Sequence, residues 1–273
     1  MSFREEWIRY GRHDTYTAYV VRPERATEPL PAIIVIQEIW GVDRHIQDVT
    51  RRFAQAGYVA MAPDLYAQDG SRPEMLLAER VEEAKRFLDT LAPGTWGNPE
   101  LRDAELAKLE SNQREKVGET LATLFGGLQM DNYIQQLMET AVFLRADYGP
   151  SKGQPTGSVG YCMGGALSAQ LACRDADLKA AVVYYGSAPD ASLLHGVKAS
   201  VRGFYGGLDR RISDAAPAFA QSMRNAGKDF AYEIYEGAEH AFFNDSRRSY
   251  NARAARDSLA RTLQFFNERL SVR

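Results

Sequence analysis

Four side chains in this sequence could act together on a carbonyl group: a thiol, an imidazole and two carboxylates. The thiol is Cys162, within V159-G160-Y161-C162-M163-G164-G165-A166-L167. The stretch reads as a strand end, a turn pinched by glycines and the start of a helix, the local geometry of G-x-S-x-G turns that expose a nucleophile. The sharp bend presents the side chain, and the positive end of the following helix favours an anion beside it. For a thiol the second effect matters more, because the thiolate is the reactive form. On this string alone the competing reading is a structural thiol buried in a glycine-rich turn.

Partners in the right order decide between the two. Nucleophiles on such turns are followed in the chain first by an acid and then by a histidine, each on a loop after a later strand. Y205-G206-G207-L208-D209 sets Asp209 just beyond a predicted strand, and Y235-E236-G237-A238-E239-H240 sets His240 just beyond the next. His240 would take the Cys162 proton and Asp209 would hold its imidazole in the useful tautomer. The other histidines fit less well. His13 and His45 precede the thiol, and His195 lies in a loop with no acid in a comparable turn ahead of it, which reads as surface. Asp190, the competing acid, precedes a strand instead of following one. The second carboxylate is Glu38 in I36-Q37-E38-I39-W40-G41, at the end of an early apolar strand. Beside a thiol it could accept a proton or act as a gate; alone it would read as a solvated strand end.

These positions require a layered scaffold. T17–P23 has the alternation and β-branching of a strand, and P31–Q37 is an unbroken apolar run suited to a parallel strand covered on both faces. Ile46, Val49, Phe53 and Ala54 mark a helix closed by Gly57, after which Y58–D64 reads as another strand. Beyond the thiol, K179–G186, A199–G206 and F230–Y235 read as strands, with helices over Asp214 to Ala226 and Ser249 to Leu270. The alternation predicts right-handed βαβ units and a mostly parallel sheet with helices on both faces. The stretch from about 70 to 147 contains helical patterns, R80–L88 the clearest, broken at Pro93-Gly94 and Gly97-Asn98-Pro99. A last helix, near Tyr133 to Tyr148, belongs to the scaffold. The expectation is one domain over 1–273 with a helical insertion at about 70–128, serving as a lid or as extra surface packing.

Bulk properties narrow the function classes. The 273 residues are 45% hydrophobic and 25% charged, with a formal net charge of −3, enough for a sizeable core and with no basic surplus for nucleic acid. The opening M1-S2-F3-R4-E5-E6-W7 lacks an apolar h-region and no run is long enough to span a bilayer. Two cysteines occur, Cys162 and Cys173. On one helix their spacing corresponds to about 16 Å, too far for a disulfide, so reduced thiols and a cytoplasmic location are expected. The sequence holds no H-E-x-x-H, paired C-x-x-C, G-x-G-x-x-G or G-x-x-x-x-G-K pattern, so neither metal nor cofactor is expected.

The pieces Q37-E38-I39-W40-G41-V42, G57-Y58-V59-A60-M61-A62-P63-D64-L65-Y66, G160-Y161-C162-M163-G164-G165 and G237-A238-E239-H240-A241-F242 together resemble the dienelactone hydrolase (carboxymethylenebutenolidase) family of the α/β-hydrolase fold. The resemblance covers about 15 to 268. It implies a triad of Cys162, His240 and Asp209, with Glu38 contacting the resting thiol and helping to activate it when substrate binds. It also implies an oxyanion hole from the backbone N–H groups of Ile39 and Met163, and an acyl-thioester intermediate on the way to hydrolysis. The partner would be a small ester or lactone, the chain a monomer or homodimer. One departure stands out: the family carries an arginine shortly after the histidine to bind a substrate carboxylate, and H240-A241-F242-F243-N244 has Asn244 there. Arg247 and Arg248 lie further on, and Arg72, Arg80 and Arg86 of the middle stretch read as surface residues. Two alternatives stay open: the same site acting on a thioester, amide or phosphoester, and a non-catalytic ligand-binding protein on the same scaffold.

Overall fold

In this computed structural model, residues 2–67, 69–92, 95 and 98–271 are described. The chain opens with two antiparallel strands, β1 (Phe3–Tyr10) and β2 (Tyr16–Pro23), then β3 (Ala32–Ile36), helix α1 (Arg44–Gln55) and β4 (Val59–Pro63). All five residues of β3 and all five of β4 are buried, as expected of strands covered on both faces. Asp43 starts α1 by accepting a hydrogen bond from the Ile46 N–H at 3.0 Å, a cap of the kind that satisfies one of the open donors of a first helical turn.

Between β4 and the next scaffold helix lie α2 (Ala78–Asp89), α3 (Pro99–Leu106) and α4 (Ser111–Gly126). Of the expected breaks in this stretch, Pro93, Gly94 and Gly97 fall outside the described residues. Asn98 caps α3, accepting from the Leu101 N–H at 3.2 Å with Pro99 in the first turn. Residues 66–129 form a compact unit of their own, and 1–65 with 130–273 form another. Within the smaller unit, Arg80 is buried, where the sequence reads as a surface arginine. Its guanidinium reaches Glu74 at 3.2 Å, Glu119 at 2.9 Å and the Lys116 carbonyl at 2.9 Å, an ionic network that offsets the loss of hydration.

The larger unit resumes with α5 (Met130–Ala146), β5 (Thr156–Tyr161), α6 (Met163–Arg174), β6 (Ala180–Tyr184), β7 (Ser200–Gly206), α7 (Arg210–Ser213), α8 (Ala216–Asn225), β8 (Phe230–Tyr235) and α9 (Ala252–Leu270). Eight strands form one sheet in the order β1-β2-β4-β3-β5-β6-β7-β8. β1, β2 and β4 pair antiparallel; every pairing from β4 through to β8 is parallel. The chain is an α/β protein of the architecture the alternation predicted, extended by the edge strand β1, which carries no strong period. The direction of strand addition reverses between β3 and β5, since β4 follows β3 on one side and β6 follows β5 on the other. Such a switch point leaves a crevice at the strands' carboxyl ends, where ligands of open α/β sheets bind.

Aromatic side chains pack directly beneath that edge. Tyr161 stacks on Tyr184 at 4.8 Å, and Phe243 lies 4.9 Å from Tyr184 and 5.2 Å from Tyr161. Among the described residues, no helix is long and apolar enough to cross a membrane.

Candidate active site

β3 and β5 are paired in register, with Ile36 opposite Gly160. Two residues beyond that pair in each chain stand Glu38 and Cys162, so the pairing directs a carboxylate and a thiol to the same stretch of the sheet edge. The glycines of the turn make the approach tight. A Cβ on Gly160 would overlap the Gly164 carbonyl oxygen, and one on Gly164 would overlap the backbone oxygens of Ile36 and Gln37. The first turn of α6 therefore rests directly on the end of β3.

Cys162 itself sits at φ 55°, ψ −115°. A non-glycine residue at positive φ is costly and is held there by its surroundings, a condition that clusters at functional sites. The Cys162 N–H donates to the Tyr184 carbonyl at 3.0 Å, and its own carbonyl accepts from Ala166 as the helix begins. The Cys162 thiol is half-buried; neither it nor the buried Cys173 is in a disulfide. Burial pushes the Cys173 thiol up from its ordinary value, which leaves it the less reactive of the two.

Asp209 follows β7 and His240 follows β8, and the structure joins them: Asp209 Oδ2 and His240 Nδ1 are 2.5 Å apart. The imidazole is also hydrogen-bonded with Cys162. Since Nδ1 faces Asp209, Nε2 is the nitrogen that faces the sulfur. Burial works against a charged imidazole, but the hydrogen bonds with Asp209 and Cys162 outweigh it and push His240 up from 6.5 to about 10. Thiol, imidazole and carboxylate thus form one connected line, each from a different loop at the carboxyl edge.

Glu38 is buried in this edge, and its two oxygens are engaged by neutral groups. Tyr185 donates its hydroxyl to Oε1 at 3.2 Å, and Asn244 donates its amide to Oε2 at 2.7 Å. The thiol is not among its hydrogen-bond partners. Asn244, fully buried, accepts from the Ser246 N–H at 3.0 Å and the Ser246 hydroxyl at 2.7 Å. A backbone N–H can only donate, so the amide oxygen faces Ser246 and its nitrogen faces Glu38. Tyr185 was not singled out in the sequence. It follows β6 at φ 40°, its ring lies 5.1 Å from that of His240, and the negative charges of Glu38 and Cys162 both bear on its hydroxyl. Burial, first, and then those charges hold its pKa well above the ordinary phenol range. The only sequence signal for it was a tyrosine at a strand end followed by Gly186.

Ile39 and Met163 occupy the two backbone positions adjacent to Glu38 and Cys162. Met163 opens α6, and the N–H groups of a first helical turn have no partner within their own helix. Trp40 is buried one residue further on, with the Arg247 guanidinium 5.4 Å from its ring centre. The remaining histidines and the competing acid are occupied elsewhere. His45 is buried with Nδ1 3.4 Å from Asp245, exposed His195 lies 2.6 Å from the Ser192 carbonyl, and Asp190 accepts from the Ser192 N–H.

The profile of the dienelactone hydrolase family matches residues 16–270. This chain belongs to that family. It is accordingly an α/β-hydrolase and a carboxylic ester or lactone hydrolase. Among its relatives, a protein of Saccharolobus solfataricus named "Putative carboxymethylenebutenolidase" is 32% identical over 250 residues, covering 91% of this chain and 92% of that protein. A protein of the same name from Escherichia coli O157:H7 is 31% identical over 266 residues, covering 93% of this chain and 83% of its own length. In structure the chain is similar to a crystal structure from Klebsiella pneumoniae described as "Putative Dienelactone Hydrolase", with a TM-score of 0.73, 26% identity and coverage of 98% and 100% of the two chains.

Proposed function

We propose that this chain hydrolyses a small carboxylic ester or lactone through a covalent thioester on Cys162. The observation that carries the reading is the unbroken line from Cys162 through His240 to Asp209, with the sulfur on a strained strand-to-helix turn. Cys162 Sγ attacks the carbonyl carbon as a thiolate, its proton already held on His240 Nε2 as the imidazolium. The tetrahedral oxyanion takes hydrogen bonds from the Ile39 and Met163 N–H groups, donors that gain strength as the charge develops. Collapse breaks the carbon–oxygen bond, and the imidazolium returns its proton to the leaving oxygen. In a lactone that oxygen stays tethered to the acyl group. Water then attacks the thioester, His240 takes its proton, the carbon–sulfur bond breaks and a carboxylic acid is released.

Asp209 stabilises the imidazolium and fixes its tautomer throughout. Glu38 assists from the β3 side: Oε1 and Oε2 each accept one bond, from Tyr185 and Asn244, and each keeps a second lone pair that can take a proton. The test is Cys162→Ala assayed against a small aryl ester and a small lactone, with intact-protein mass spectrometry of the unaltered enzyme. A fall of at least about 10³-fold in kcat/KM is expected, scaled from the loss of nucleophiles in comparable triads, together with an acyl adduct on Cys162. Undiminished turnover in the variant would sink the reading.

A further inference from the structure

Resting on that reading of the site, we infer that the enzyme takes uncharged esters or lactones and disfavours substrates with a carboxylate close to the reacting carbonyl. The inference comes from what surrounds Glu38. This carboxylate is 2% exposed, stands beside Cys162 through the β3–β5 register, and receives hydrogen bonds from a phenol and an amide. Both bonds are donated to it, as an ionised carboxylate requires. Among the described residues, it has no ion pair with a lysine or arginine. Its charge is solvated by dipoles and left without a counter-ion in a poorly hydrated edge, where Coulombic effects are stronger than in water.

Asn244 is the residue that sets this balance. Its amide orientation is fixed by Ser246, so its N–H points at Glu38 and its oxygen is occupied. A cation at this position would neutralise Glu38 and could share itself with an incoming anion; an amide can do neither. Of the two arginines on the same loop, Arg247 is placed over the Trp40 ring and Arg248 is exposed. An acyl chain bearing its own carboxylate would therefore meet the uncompensated negative charge of Glu38, whereas an alkyl chain of the same length carries no charge for Glu38 to repel.

The test compares two aryl esters with one leaving group and acyl chains of equal length: para-nitrophenyl butyrate and the para-nitrophenyl monoester of succinate. For the unaltered enzyme, kcat/KM should be at least about tenfold higher for the butyrate. The ratio should persist in roughly 0.5 M NaCl, because salt at that level screens the long-range field of the molecule much more than a buried neighbour. Asn244→Arg should shrink the ratio by raising kcat/KM for the succinate monoester. Equal or faster turnover of the succinate monoester by the unaltered enzyme overturns the inference and leaves the thioester reading standing. So does a preference that disappears in salt, or a folded Asn244→Arg enzyme whose ratio does not move. If that variant fails to fold, the comparison on the unaltered enzyme decides. Failure to turn over either ester overturns the thioester reading, and the inference with it.

Discussion

His240 holds the charge balance of the site. Its imidazole is drawn to about 10 from 6.5 by Asp209 and Cys162 against the opposing effect of burial. The folded-state value is the higher one, so the imidazolium contributes stability that is complete below pH 6.5 and is lost as the pH rises through about 10. Asp209→Asn keeps the shape and removes the charge. In that variant the His240 titration, followed by NMR of the imidazole, should move down by about 1 unit or more. The melting-temperature gap between the unaltered chain and the variant should be widest near pH 6.5 and narrow toward pH 10. A gap that stays constant over this range would count against the assignment. At this scale the sequence is informative for residues whose type is itself rare and ordered: Cys162, Asp209 and His240, the proposed nucleophile, acid and base, follow one another after successive strands, and Asp209 lies against His240. Tyr185 does not stand out in this way. Its significance lies in a positive φ and in hydrogen-bond partners remote in sequence, 147 positions away in the case of Glu38, and neither is encoded in a local pattern.

The elements contribute precision more than chemistry. Glu38 and Cys162 meet because β3 and β5 are in register and because glycine lets α6 sit on the end of β3. Gly164→Ala tests this directly: the new Cβ would fall on the Ile36 and Gln37 backbone oxygens, which cannot rotate away as a side chain can. A cost of about 1–3 kcal/mol is expected for such overpacking, read as a lowered melting temperature, together with a loss of turnover larger than the loss of folded protein. An unchanged enzyme would mean that the contact is not needed. The buried strands were legible because their apolar runs are continuous. β1 was not, since its sequence Phe3–Tyr10 mixes charged and aromatic residues without a regular period and leaves Trp7 51% exposed. An edge strand draws its order from one neighbour's hydrogen bonds, so its side chains need carry little hydrophobic signal.

At the scale of the whole molecule, chain order and space diverge. The reversal of strand addition between β3 and β5 creates the crevice, and it shows only once pairing is known. The helical segment departs from the strand–helix rhythm, and 66–129 form a compact unit of their own. What the sequence concealed there is its internal bonding. Arg80 reads as one surface charge among many, but its partner Glu119 lies 39 positions away on another helix, and the pair closes α2 against α4. Replacing Arg80 with Leu keeps most of the apolar stem and removes three hydrogen bonds, leaving two carboxylates that are 80% and 53% exposed and can be solvated. The cost should therefore be modest, about 1–2 kcal/mol, since no unpaired charge is left buried. Hydrogen exchange should locate it: amide protection falls in α2 and α4 while β3, β5 and β6 keep theirs. Protection lost evenly across the sheet would mean that the two units open as one cooperative body, and the local account of Arg80 would fail.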